Sequence, residues 1–157
     1  MKKITPFLWF DNQAEEAMNF YVSIFKNSKV LNVTRYGEAG PGPKGTVMTA
    51  TFELNGQEFT ALNGGPAHYH FTEAISFYVD CETQGEVDEL WAKLAKGGEE
   101  GPCGWLKDKY GLSWQIVPSA LPKMLNDPDP AKSQRVMQAM LKMSKIDTKV
   151  LQQAYDQ

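Results

Sequence analysis

Two copies of a βαβββ module followed by a helical tail, an α+β fold, are what this sequence predicts, and three observations predict it. The stretch ISFYVDCETQGEVDELWAKLAKGG (75–98) repeats the opening of the chain, ITPFLWFDNQAEEAMNFYVSIFKN (4–27), about 70 residues later. Each copy passes from a short apolar run through an acidic, polar turn into apolar residues at helical spacing: Ala17, Phe20, Tyr21, Ile24 and Phe25, then Val87, Leu90, Trp91, Leu94 and Ala95. After each helix come strand-like runs separated by Gly and Pro turn signals. Stacked arrays need three or more units of about 20 to 50 residues, so two copies of this length complete one shared core instead.

Residues 4–10 read as the first strand, with Pro6 tolerable near its start or on an edge. Alternation puts Pro6, Leu8 and Phe10 on one face and Phe7 and Trp9 on the other. Asp11 or Asn12 is expected to cap the helix that follows, and Glu15 and Glu16 suit its positive end. That helix should stop near Lys26 and Asn27.

Residues 28–37 alternate as a strand, and GEAGPGPKG is a loop or long hairpin tip. Its two prolines remove amide donors and no helix follows, so it is no phosphate cradle. TVMTATFEL (46–54) is a strand, Asn55-Gly56 a type I′ hairpin turn, and QEFTALNGG its partner. The second module opens with a strand at 75–80. Thr83 and Glu86 then form a capping box, and Gly97-Gly98 ends the helix. Short strands near 100 and at 104–109, a Tyr110-Gly111 turn and a strand at 112–117 complete it, with Pro118 as the stop. Trp91 reads as core, and Lys107, Asp108 and Lys109 as a solvated strand end and turn.

From Ser119 the composition turns helical: SALPKMLND, then Asp129-Pro130 as cap and first turn of a helix with Val136, Met137, Met140 and Leu141 on one stripe. Asp147 starts a last helix carrying Val150, Leu151, Ala154 and Tyr155. The expected organisation is paired modules over 1–118 (about 1–66 and 72–118) and a helical extension over 119–157 that covers an exposed flank or a subunit contact.

Composition narrows the partners. Sixteen Lys and Arg against nineteen Asp and Glu give a net charge of −3, without the basic footprint that nucleic acid requires. No apolar run approaches the length of a membrane span, and the N-terminal run, broken by Pro6 and Asp11, is no signal peptide. With two cysteines, Cys81 and Cys103, expected as reduced thiols, the chain reads as cytoplasmic. Ser, His and Asp are present without a nucleophile motif such as G-x-S-x-G, so no nucleophilic mechanism or catalytic residue follows.

Three separated stretches, TPFLWFDNQAEEAMNFYVSIF, EAISFYVDC and CGWLKDKYGLSWQIVP, together resemble the PhnB-like branch of the vicinal-oxygen-chelate superfamily, which includes glyoxalases, bleomycin-resistance proteins and extradiol dioxygenases. Members of the branch are often labelled 3-demethylubiquinone 3-methyltransferases. The resemblance covers residues 3–125. It implies paired βαβββ modules whose curved mixed sheets form a cup, in a homodimer. Enzymes of the superfamily hold a divalent metal there through His, Gln or Glu on the first and last strands of each module.

At those places this chain offers Pro6 and Ala74, which have no ligand atom, Gln115 where metal-binding members carry Glu, and Asn63 near the end of the first module. A catalytic zinc keeps three protein ligands and an open position, and this set does not supply them. His68 and His70, at i and i+2, would share a face on an extended segment and are the weak metal candidates. The resemblance also implies that Leu8, Phe10, Asn63, Ser76, Tyr78, Ser113 and Gln115 line the cup, an apolar hollow with a few polar groups of the kind small ligands occupy. The expected function is therefore binding of a small hydrophobic or aromatic molecule, with no cofactor. The alternative is a divalent-metal lyase, isomerase or dioxygenase with a rearranged site. Methyl-donor binding is not expected, because the turns FDNQAEE and DCETQGE lack the glycine pattern that holds such a donor.

Overall fold

A computed structural model of the chain describes residues 3–157, so Met1 and Lys2 of the N-terminal run fall outside the described residues. The order of elements is β1 (Phe7–Phe10), α1 (Ala14–Ile24), β2 (Ser28–Arg35), β3 (Val47–Leu54), β4 (Gln57–Asn63), β5 (Ser76–Cys81), α2 (Gln84–Ala95), β6 (Glu99–Glu100), β7 (Trp105–Lys107), β8 (Ser113–Pro118), α3 (Ala120–Leu125), α4 (Pro130–Met140) and α5 (Thr148–Asp156). Two four-stranded sheets result, ordered β1-β4-β3-β2 and β5-β8-β7-β6. In each, the first strand runs parallel to the last and the others are antiparallel, so the sequence repeat is a repeat of topology. The chain divides into two compact units, one ending at Tyr69 and one spanning His70–Gln157.

In the first unit α1 covers one sheet face. Tyr21 of the helix stacks on Phe52 with ring centroids 6.0 Å apart, and Phe52 stacks on Phe59. Leu8, Phe10, Ala50, Phe52, Leu54, Phe59 and Ala61 are buried on that face. A side chain such as Phe52 contributes about 1.5–3 kcal/mol on full burial. The β3–β4 turn is as expected, with Asn55 and Gly56 at φ 47° and 88°, the left-handed pair a type I′ turn needs.

The cap of α1 is different from the expectation. Gln13 occupies the cap position without a side-chain hydrogen bond, and neither Asp11 nor Asn12 serves. The Ala14 N–H instead donates to Asn63 Oδ1, 2.8 Å away at the end of β4. The helix also stops earlier, at Ile24.

In the second unit α2 packs on the face formed by Leu106, Trp114 and Ile116, with Val87, Leu90, Trp91 and Leu94 buried between them. Trp91 is core as expected, and Thr83 Oγ1 accepts the Glu86 N–H as the capping box requires. The β6–β7 approach is close: a Cβ on Gly98 would fall 2.1 Å from the Lys107 carbonyl oxygen, so glycine is required there.

The tail folds onto this second unit. Val117, Leu121, Val136, Ile146 and Leu151 form one buried cluster, with Met140 and Tyr155 packed against it. Gln84 ties α2 to the start of α5, donating to the Ile146 carbonyl and accepting the Thr148 N–H. Of the expected stripe, Val136 is buried, whereas Met137 and Leu141 are exposed because α4 turns only one narrow edge inward.

The reading of Lys107, Asp108 and Lys109 as solvated holds for Lys109 and fails for Asp108, which is 2% exposed. Its Oδ1 accepts the Tyr110 and Leu112 N–H groups and its Oδ2 accepts the Trp114 indole N–H, so it organises the β7–β8 turn.

Candidate functional site

Each sheet has one face that its own helix does not cover, and the strand register fixes what stands there. On the first sheet two rows cross the strands: Phe7, Thr60, Thr51 and Asn32, then Trp9, Leu62, Thr49 and Thr34. On the second the matching rows are Ser76, Ser113, Lys107 and Glu99, then Tyr78, Gln115 and Trp105.

Three of the expected cup-lining residues are therefore misassigned. Leu8 and Phe10, 6% and 4% exposed, point to α1, and it is Phe7 and Trp9 that occupy the helix-free face. Asn63 lies on the α1 side too. Its Oδ1 takes the Ala14 N–H and its Nδ2 donates to the Val47 carbonyl, so its amide is engaged in holding the fold. Ser76, Tyr78, Ser113 and Gln115 do stand on the helix-free face of the second sheet.

Polar groups on the first sheet satisfy one another: Thr51 and Thr60 hydroxyls are 3.0 Å apart and those of Thr34 and Thr49 2.5 Å. The second sheet differs at the equivalent place. Lys107 stands where Thr51 does, and its ammonium is held by Glu73, with Glu99 at 3.9 Å. Gln115 Nε2 donates to Ser76 Oγ at 2.9 Å. Ser113 is left over. It is 1% exposed, and among the described residues its Oγ is the buried side-chain polar atom with no hydrogen-bond partner.

Ser113 lines a cleft of about 850 Å³ with Glu73, Glu99, Glu100, Cys103, Trp105 and Lys107. That is the size of a small-molecule pocket. Glu100 accepts the Trp91 indole N–H. The Lys107 hydrogen bond and charge hold Glu73 below the usual carboxylate range, and Glu73 in turn raises Lys107. Nearby, partial burial and the charges of Asp80 and Cys81 raise the Tyr78 phenol.

Among the described residues the places named for a divalent metal supply no fitting donor set. Pro6 and Ala74 carry no side-chain ligand atom and Asn63 is engaged on the helix side, which leaves the single amide oxygen of Gln115, whose Nε2 donates to Ser76. His68 lies one residue before the end of the first unit and His70 opens the second, both exposed in a segment that is not a strand. Among the described residues no group of three or more His, Cys, Asp or Glu side chains could hold a metal ion. Both cysteines are free, and among the described residues no helix is long and apolar enough to cross a membrane.

Sequence reasoning missed the cleft residues Glu73, Glu99, Cys103 and Trp105. The alternation of β7 could have placed Trp105 and Lys107 together, but the reach of Glu73 from the loop before β5 leaves no local signal.

The profile of the family described as 3-demethylubiquinone-9 3-methyltransferase matches residues 2–117. A PhnB protein from Bacillus cereus is 46% identical, with TM-score 0.68, over 75% of this chain and 100% of that one. A Pseudomonas aeruginosa protein is similar at 20% identity and TM-score 0.63, over 75% and 98%. The genomically encoded fosfomycin resistance protein FosX of Listeria monocytogenes is similar at 16% and 0.54, over 78% and 97%. The last two speak to the fold alone. Among curated proteins none matches.

Proposed function

The chain belongs to the 3-demethylubiquinone-9 3-methyltransferase family, in its PhnB-like branch within the glyoxalase and bleomycin-resistance superfamily, and on that premise we propose that it binds a small hydrophobic or aromatic molecule on the helix-free face of its second sheet, without a metal triad. The observation that carries this reading is Ser113. A buried hydroxyl without a partner costs about 1–3 kcal/mol, and a fold retains it where something else satisfies it. A ligand group reaching into the cleft beside Trp105 and Lys107 would do so.

The test is Ser113→Ala, followed by thermal unfolding with and without aromatic fragments. A ligand that binds only the native state raises its apparent stability. The substitution should leave the free protein as stable or stabilise it by up to about 1 kcal/mol, while removing the fragment-induced rise. A destabilised variant that keeps its full response to fragments would refute the reading.

Methyl transfer, which the family description names, is not part of this proposal. The turns entering α1 and α2 have no glycine-rich pattern for a methyl donor, and calorimetric titration with S-adenosylmethionine should show no binding. The reading includes a homodimer in the cytoplasm, supported by the exposed apolar side chains of Phe7, Val30, Leu31 and Ile75 and by the free thiols. Sedimentation equilibrium checks the dimer.

A further inference from the structure

The cleft has a charge as well as a shape. On the helix-free side two carboxylates, Glu73 and Glu99, and one ammonium, Lys107, leave its walls at −1. Lys107 is already engaged by Glu73 in direct contact and by Glu99 across 3.9 Å, so it has little attraction left for an anion. Glu100, the register partner of Leu106, turns its carboxylate to the Trp91 indole N–H on the α2 side and is not counted with Glu73 and Glu99. Trp105 stands in the same wall, and an indole face attracts cations. Against these acids the cleft holds one buried neutral group with no partner, the Ser113 hydroxyl, 1% exposed and lining the same space.

We infer that the ligand of this cleft is an aromatic or aliphatic amine carrying a positive charge, its cationic group drawn to the Glu73 and Glu99 carboxylates and Trp105, and a polar atom hydrogen-bonded to Ser113 Oγ. This rests on the proposed binding function and adds the charge of the molecule bound. An anion meets a net repulsive wall there. A neutral isostere keeps the stacking and loses the attraction.

Three probes sharing one ring test it: tryptamine, tryptophol and indole-3-acetate, titrated calorimetrically into the intact protein at low and high salt. Tryptamine should bind roughly tenfold or more tighter than tryptophol, with indole-3-acetate weakest, and the margin should shrink at high salt as the carboxylates are screened. The double variant Glu73→Gln with Glu99→Gln should bring tryptamine to the affinity of tryptophol. These carboxylates are solvent-accessible, and circular dichroism checks that the variant folds.

Equal binding of the three probes, preference for the neutral or acidic one, or no binding of tryptamine overturns the inference. The underlying reading has its own criterion, the loss of fragment-induced stabilisation in Ser113→Ala. A protein that meets that criterion while treating the three probes alike binds ligands but does not select cations.

Discussion

The side-chain oxygen of Asn63 lies 2.8 Å from the backbone nitrogen of Ala14, so the last strand of the first module caps the helix that follows its first strand. The same amide donates to the Val47 carbonyl and joins β4 to the start of β3. Asn63→Ala removes both bonds and should cost about 1–2 kcal/mol in denaturant unfolding. Asn63→Asp keeps an acceptor at the positive end of α1 and should lose less. Neither should alter fragment binding at the second sheet.

Asp108 is the second structural carboxylate. D108N leaves its Oδ2 position facing the Trp114 indole N–H with either an oxygen or an amide donor, and removes the charge that two backbone N–H groups point at. The expected loss is about 1.5–3 kcal/mol, the range for hydrogen bonds to a charged group. Urea denaturation measures it.

The two modules were unequally legible in the sequence. On β1 both alternating sets, Leu8 with Phe10 and Phe7 with Trp9, are apolar, so alternation separates them without saying which meets α1. On β5 and β8 one set is polar, Ser76, Tyr78, Ser113 and Gln115, and its exposure to the helix-free face follows from hydrophobicity alone. The Asn63 cap spans 49 residues of sequence, beyond any local capping signal. Asp108 read as solvated for a similar reason: its partners Leu112 and Trp114 become partners only once the turn closes. The strands, helices and hairpin turn were legible because each depends on neighbours within a few positions. That Ser113 Oγ has no partner is likewise a fact of the assembled sheet that no spacing encodes.

The thiols should separate cleanly. Burial, with the Glu86 carboxylate next, pushes Cys81 up to about 12, while Cys103 is half-buried in the cleft wall. Thiolate is the reactive form, so iodoacetamide near neutral pH should modify Cys103 and leave Cys81 until the protein unfolds. Mass spectrometry counts the adducts: one in the native protein, two in denaturant. Aromatic fragments in the cleft should slow the first.

The Glu73–Lys107 pair sets a pH window. The Lys107 hydrogen bond lowers Glu73, so the contribution of this carboxylate is present above its unfolded value and is lost as pH falls through the lower folded one. Glu73 raises Lys107, so that contribution is present below the unfolded lysine value and is lost as pH rises through the higher folded one. The difference in melting temperature between wild type and Glu73→Gln should therefore be level across neutral pH and vanish in strong acid and strong alkali.

The most direct test labels the four tryptophans with 5-fluorotryptophan and follows the ¹⁹F spectrum as aromatic fragments are added. Trp91 and Trp114 are buried on the α2 side, Trp9 belongs to the first sheet, and Trp105 lines the cleft. Binding on the helix-free face of the second sheet predicts that the Trp105 resonance, assigned by Trp105→Phe, moves with fragment concentration while the other three stay. Movement of Trp9 alone, or of none of the four while fragments stabilise the protein, would contradict it.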